Sequence, residues 1–142
     1  MTIYLDSSFL VSLYGSDANL GLAIDALQNS TGDFLITPLS QLEVVNAFAL
    51  QVFRKHTSAE EAERSLRNFE DDLIVGIFQP RALPEQSFDR ARQLSRQTTR
   101  ELGTRTADLL HVAAALEMGA EFLYSFDKRQ RALARAVHLK LN

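Results

Sequence analysis

The residues best suited to chemistry in this chain are acids at junctions between predicted elements, namely Asp6, Glu43, Asp108 and Asp127. Asp6 ends the apolar run 2–5, which its length and composition identify as a buried strand. The run 121–127 repeats the pattern, with Ser125 and then Asp127 after the apolar residues. Because sites in open α/β sheets form outside the carboxyl ends of strands, acids far apart in sequence can converge there.

Converging carboxylates repel one another, and their pKa values rise unless cations neutralise them. A cluster of the four acids is therefore either a proton-sharing site or a site for a divalent metal. Oxygen ligands in a chain without cysteine favour Mg²⁺ or Mn²⁺. Such ions bind substrate phosphate and activate a water, and Ser7 and Ser125 could orient the acids or hold metal-bound waters.

A purely structural role stays open for each acid. All four lie near predicted helix N-termini, where capping and the helix dipole favour an acid. Glu43 is most open to this interpretation, because it completes the capping box that begins at Ser40. Spacing alone does not establish that the four acids meet.

Two further groups have alternative interpretations. His111 shares a helix face with Asp108, but a lone histidine among Leu, Val and Ala is usually a packed, hydrogen-bonded residue, and we predict that role over a metal ligand. The basic run 128–135 is typical of a solvated helix face, with phosphate contacts near Asp127 as the alternative. The chain has no Gly-rich phosphate loop and no nucleophile elbow.

Hydrophobic periodicity and capping signals predict helices over residues 8–14, 18–29, 41–56, 59–72, 85–102, 105–118 and 128–136. The same patterns predict strands over residues 2–5, 34–37, 122–125 and 137–141. For residues 73–78 we favour a strand in the second half, before Pro80. Strands that alternate with helices predict an α/β fold with a mostly parallel sheet and helices on both faces.

Buried stripes are also predicted within individual helices. In the 41–56 helix the stripe consists of Leu42, Val45, Ala49, Val52 and Phe53. In the 85–102 helix the inward residues are Phe88, Ala91 and Leu94.

Length and composition narrow the class of protein. The 142 residues, 46% of them hydrophobic, suit one compact domain over 1–142. The absence of cysteine excludes disulfides and is compatible with a reducing cytoplasm, where we expect the protein to act. No signal peptide or membrane-spanning run is visible, so we expect no membrane association. A net charge of −3 argues against a generally basic surface.

Four segments together resemble the PIN domain, specifically the VapC-type toxin ribonucleases of toxin–antitoxin pairs. They are residues 3–8 (IYLDSS), 37–43 (TPLSQLE), 105–115 (RTADLLHVAAA) and 122–130 (FLYSFDKRQ). The resemblance implies a three-layer α/β/α sandwich and a Mg²⁺- or Mn²⁺-dependent endoribonuclease. The family's four acids carry onto Asp6, Glu43, Asp108 and Asp127. The hydroxyl of its last motif carries onto Ser125, where threonine is common.

The resemblance also implies partners, namely an RNA substrate, a second copy in a homodimer, and a cognate antitoxin whose C-terminal segment covers the acidic pocket. It names no particular RNA, because substrate choice depends on loops and surface charge. Two other functions stay open. One is a non-catalytic interaction module that pairs through the apolar face of the 41–56 helix, and the other is a metal-dependent phosphatase for a small phosphomonoester.

Overall fold

The computed structural model describes all 142 residues around a five-stranded sheet. The strands are β1 (Thr2–Leu5), β2 (Asp33–Ile36), β3 (Gln79–Pro80), β4 (Phe122–Tyr124) and β5 (Lys140–Leu141). Their order is β3–β2–β1–β4–β5, and every neighbouring pair is parallel. The chain therefore builds one half of the sheet outward from β1 and then crosses to the other side to build β4 and β5.

Seven helices cover the sheet. They are α1 (Ser7–Tyr14), α2 (Leu20–Gln28), α3 (Pro38–Phe53), α4 (Ala59–Ile74), α5, α6 (Thr106–Glu117) and α7 (Lys128–Ala136). Helix α5 comprises Gln86–Leu94, a π-helical turn at Ser95–Thr99 and a last short piece at Arg100–Leu102.

The central strand β1 is buried on both faces, which divides the core into two layers. Ile3 and Leu5 pack with residues of α1 to α4, whereas Tyr4 packs with residues of α5 to α7. Strand side chains alternate between faces, so one short strand serves both layers. The predicted α/β/α sandwich with a parallel sheet is confirmed.

The start of α3 differs from the prediction. Thr37, not Ser40, is its N-cap, because the Thr37 side chain accepts a hydrogen bond from the backbone N–H of Ser40. Pro38 follows at the first helical position, where its fixed φ is favourable. Ser40 is buried and donates to the carbonyl of Leu5 at 3.2 Å. Glu43 therefore lies in the second turn and is not a capping residue.

The predicted buried stripe of α3 is wrong except at Val52, which is partly buried against the core. Leu42 is 66% exposed and Phe53 is 82% exposed, and Val45 and Ala49 are exposed as well. The buried face instead carries Ser40, Val44 and Phe48, which recur at four-residue spacing. The hydrogen bond from Ser40 to the end of β1 lies on this same buried face.

Other differences are local. Helix α4 continues to Ile74, and the adjoining strand is only Gln79–Pro80, so the strand predicted within 73–78 is wrong. Pro80 is tolerated because β3 is an edge strand. Phe88, predicted to face inward, is exposed, whereas Leu94 is buried as expected. None of the helices combines the length and apolar character needed to cross a membrane.

Candidate active site

The sheet order produces a topological switch point between β1 and β4, on either side of which the chain runs in opposite directions across the sheet. Asp6 directly follows β1, and Ser125 directly follows β4. Leu5 of β1 is paired with Tyr124 of β4, so these two positions are neighbours. Ligands of open α/β sheets bind in the crevice at such a point.

Asp6 is buried and held by four contacts. Its Oδ1 accepts a hydrogen bond from the backbone N–H of Phe9 at 2.9 Å and so caps α1. The hydroxyl of Ser8 lies 2.8 Å from Oδ1 and 2.9 Å from Oδ2. The hydroxyl of Ser125 donates to Oδ2 at 2.8 Å. The carboxylate is therefore fixed by the first turn of α1 and by the residue that follows β4.

Ser8, rather than Ser7, is the serine that orients Asp6. Its hydroxyl also accepts hydrogen bonds from the backbone N–H groups of Phe126 at 2.9 Å and Asp127 at 3.2 Å. Because Ser8 lies in the first turn of α1, its side chain reaches back to the capping carboxylate. Sequence reasoning named Ser7 because it follows the acid directly.

Asp127 and Asp108 share one cation. Asp127 caps α7 by accepting from the N–H of Gln130 at 2.9 Å, and Asp108 accepts from the N–H of Arg105 at 2.9 Å. The guanidinium of Arg105 lies 3.5 Å from Asp108 Oδ2 and 3.2 Å from Asp127 Oδ2. Sequence reasoning assigned no role to Arg105, because the contact with Asp127 joins different elements.

Glu43 contacts a buried histidine. Its Oε1 is hydrogen-bonded to Nε2 of His111, and Nδ1 of the same ring lies 2.8 Å from the hydroxyl of Tyr4. The Tyr4 hydroxyl is also 3.1 Å from Oγ1 of Thr37. The prediction of a packed, hydrogen-bonded His111 is confirmed, and the partner it binds is one of the four candidate acids.

Burial and neighbouring groups shift the pKa values of Asp6 and His111. Burial raises the pKa of Asp6 above its ordinary value, although His111, the N–H of Phe9 and the two serines act in the opposite direction. Burial alone would lower the pKa of His111. Tyr4, the hydrogen bond to Glu43 and the charges of Asp6 and Glu43 outweigh burial and raise the pKa of His111 to about 10.

As the side chains stand, no three of His, Asp and Glu lie close enough together to hold a metal ion. Each candidate acid is instead satisfied by donors of the chain, with Arg105 and His111 as the nearest cations. The donor chemistry nevertheless fits a hard divalent cation, since it consists of carboxylates and hydroxyls with no thiolate. Ligation would require Asp108 and Asp127 to exchange the Arg105 guanidinium for the ion, and the carboxylates to approach a common point.

A groove of about 400 Å³ runs beside Asp127, lined in part by Ser8, Asp17, Asn19 and Phe126. Directly after Asp127 in the sequence, Lys128 and Arg129 are exposed, as the solvated-face interpretation predicts. Arg131 differs from them, because it donates to the carbonyl of Ser125 at 2.7 Å and to Asn142. Asp127 therefore borders an open groove and is followed by two exposed basic residues.

The family model of the PIN domain matches residues 3–136. No curated protein matches the chain. Among solved structures, VapC20 of Mycobacterium tuberculosis, a toxin that cleaves the sarcin–ricin loop, aligns with a TM-score of 0.67 at 19% identity, over 92% of this chain and 93% of that one.

Two further structures have the same fold. FitAcB of Neisseria gonorrhoeae aligns with a TM-score of 0.68 at 14% identity, over 98% of this chain and 95% of that one. VapBC-1 of nontypeable Haemophilus influenzae aligns with a TM-score of 0.64 at 15% identity, over 100% and 97%. At such low identity these likenesses concern the fold alone.

Proposed function

The chain belongs to the PIN-domain family, and from that membership we propose that it is a divalent-metal-dependent endoribonuclease, the toxin of a toxin–antitoxin pair. The observation that carries the proposal is the hydroxyl of Ser125, which bonds Asp6 and accepts from the N–H of Asp127 at 3.1 Å. It links the acids after β1 and β4 at the switch point of the sheet. That edge is where an α/β fold binds substrate.

In this proposal Asp6, Glu43, Asp108 and Asp127 hold Mg²⁺ or Mn²⁺. A bound ion supplies a water of lowered pKa and stabilises charge on a phosphodiester. Ser8 and Ser125 keep the carboxylate of Asp6 in a single orientation. Arg105, Lys128 and Arg129 offer positive charge to the phosphates of an RNA strand.

We also propose that the chain pairs with a second copy and with a cognate antitoxin. Large apolar side chains exposed on α3 and at the end of α4 support this, namely Leu42, Val45, Phe53, Ile74 and Val75. Exposed apolar patches commonly mark protein interfaces. The same residues favour the alternative of a non-catalytic interaction module, which cleavage assays separate from the nuclease.

The test is cleavage of RNA by the purified chain with Mg²⁺ or Mn²⁺, compared with Asp108→Asn. We expect metal-dependent cleavage by the parent and none by the variant, because asparagine keeps the capping geometry but removes the charge. Asp71→Asn, at an exposed position in α4, is the matched control and should cut normally.

Three outcomes count against the proposal. Cleavage that persists when a chelator has removed divalent ions would overturn the metal-dependent mechanism. Normal cleavage by Asp108→Asn would remove Asp108 from the site. A parent chain that binds other molecules but cuts no RNA under any metal would favour the interaction module.

A further inference from the structure

Glu43 differs from the other three acids in how it is held. Asp6, Asp108 and Asp127 each accept a hydrogen bond from a backbone N–H group, which fixes the carboxylate relative to its own helix. Glu43 has no backbone donor, and its only hydrogen-bond partner is His111. Its longer side chain, 31% exposed, also has more rotamer freedom to lose on ordering. Its position therefore depends on one histidine.

His111 is well suited to this task because it is itself immobilised. The residue is only 1% exposed. The hydroxyl of Tyr4 meets the ring nitrogen opposite the one that meets Glu43, at 2.8 Å. The two rings also pack edge to face, with centroids 5.7 Å apart. A rigid ring held at one edge can hold a partner at the other.

The hydrogen-bonded path closes on the helix that carries Glu43. It runs from Thr37, the N-cap of α3, through Tyr4 of β1 and His111 of α6 to Glu43 in the second turn of α3. Tyr4 lies two residues before Asp6 in the sequence. The path therefore fixes the position of the Glu43 side chain relative to β1, the strand that directly precedes Asp6.

We propose that His111 is a positioning residue that holds the carboxylate of Glu43 in place for a divalent ion, an inference that rests on the proposed function. The bond uses Oε1, and Oε2 has no hydrogen-bond partner in the chain. One oxygen thus serves as the anchor and the other is free to accept a ligand. Partners of this kind orient metal-binding side chains and typically affect metal affinity.

Two substitutions of His111 test the contacts of its two ring nitrogens separately. His111→Gln places an amide nitrogen at about the reach of Nε2 and so can still donate to Glu43. His111→Asn places its amide at about the reach of Nδ1 and can contact only Tyr4. Both remove the ring, so both should lower the melting temperature of the metal-free chain to a similar extent.

The measurement is Mn²⁺ affinity of the full chain by titration calorimetry, without RNA. We expect His111→Asn to weaken binding by roughly 10- to 100-fold and His111→Gln to stay within a few-fold of the parent. Tyr4→Phe keeps the His111 ring but removes the hydroxyl that anchors it. It should therefore weaken Mn²⁺ binding by a factor between those of His111→Gln and His111→Asn. Tyr4→Phe also tests the inference if either His111 variant fails to fold. His138→Asn, at an exposed position with φ of 65°, is the matched control and should bind normally.

The double variant Glu43→Gln with His111→Asn completes the experiment. If His111 acts through Glu43, adding His111→Asn to Glu43→Gln should weaken Mn²⁺ binding no further. Equal affinities of the parent and His111→Asn, with Glu43→Gln weakened, would overturn the inference and leave the proposed function intact. Equal losses in the Asn and Gln variants would mean a general packing role and would also overturn it. A parent chain that binds no Mn²⁺ would overturn the proposed function itself.

Discussion

The hydroxyl of Ser125 donates a hydrogen bond to Oδ2 of Asp6 at 2.8 Å, although 119 residues separate the two in the sequence. The contact exists because β1 and β4 are neighbours, so both residues emerge from the same edge of the sheet. It supports a buried carboxylate whose desolvation is unfavourable. The serine is therefore expected to contribute to stability as well as to the site.

Ser125→Ala should lower the free energy of unfolding by about 1.5–3 kcal/mol, the range for a buried hydrogen bond to a charged group. The variant leaves Asp6 with one donor fewer and a further raised pKa, which weakens metal binding at neutral pH. Ser125→Thr keeps the hydroxyl and should lower the free energy of unfolding by less than Ser125→Ala does. Urea unfolding of the three chains checks the order, and an alanine variant as stable as the parent would contradict it.

Asp6→Asn should change how stability depends on pH. Because burial raises the pKa of Asp6 in the folded chain above 3.8, the protonated carboxyl favours folding. The stability it provides is fully present below the unfolded pKa and is lost as pH rises through the folded pKa. Asparagine caps α1 as well as aspartate and does not titrate. Without metal, the free energy of unfolding of Asp6→Asn relative to that of the parent should therefore increase as pH rises from acid to neutral.

Denaturant unfolding at several pH values with a chelator present measures this difference. Asp71→Asn is again the control, since its side chain is exposed. Parallel curves for the parent and Asp6→Asn would contradict the raised pKa. On addition of Mn²⁺ at neutral pH the parent should become the more stable of the two chains, because only the parent retains the carboxylate that binds the ion.

Arg105→Gln should have opposite effects on metal and on RNA. The Arg105 side chain is 63% exposed and neutralises Asp108 and Asp127, so its loss should cost less than about 1 kcal/mol of stability. A divalent ion at these acids must displace the guanidinium, so the variant should bind Mn²⁺ more tightly. RNA should bind less tightly, since one cation at the site is gone.

Calorimetric titration with Mn²⁺ measures the effect on metal affinity. Binding of RNA in a buffer without divalent ions measures the effect on RNA affinity separately. Arg129→Gln is the matched control, because Arg129 is exposed and has no ion pair with either acid. It should weaken RNA binding and leave Mn²⁺ affinity unchanged. Weaker Mn²⁺ binding by Arg105→Gln would mean that the guanidinium organises the acids instead of competing with the ion.

The positions of Asp6, Asp108 and Asp127 at element junctions could be predicted because their signal is local. Asp6 ends a recognisable apolar run, Asp108 and Asp127 lie at helix starts, and the alternation of elements predicts a parallel sheet whose strand ends meet. The structural alternative was also partly right, since Asp6 and Asp127 do cap helices. Capping fixes a carboxylate at a helix N-terminus beside the strand ends, so the two roles coincide.

The partners of these acids could not be predicted, because the contacts join distant parts of the chain. Glu43 and His111 are 68 residues apart, and nothing near either residue specifies the other. The rotation of α3 could not be predicted for the same reason. Hydrophobic periodicity places Leu42 and Phe53 inward, whereas in the structure Ser40 shares the buried face with Val44 and Phe48 and bonds the carbonyl of Leu5, 35 residues away.

Two phenylalanines on α3 test the corrected rotation and the proposed interface together. Phe48 is 1% exposed and Phe53 is 82% exposed. Phe48→Ala should lower the free energy of unfolding by about 3–5 kcal/mol, the usual cost of emptying a core site. Phe53→Ala should change the stability of the isolated chain by at most about 0.5 kcal/mol. It should instead weaken self-association, because it removes the most exposed aromatic side chain of that face.

Urea unfolding at two protein concentrations, with sedimentation analysis of each chain, distinguishes these effects. If the exposed face of α3 pairs with a second copy, the parent should be more stable at the higher concentration and Phe53→Ala should lose that dependence. A concentration-independent loss of several kcal/mol for Phe53→Ala would mean that Phe53 is buried within its own chain, as hydrophobic periodicity had indicated. A parent that stays monomeric would leave this face for the antitoxin, whose binding Phe53→Ala should then weaken.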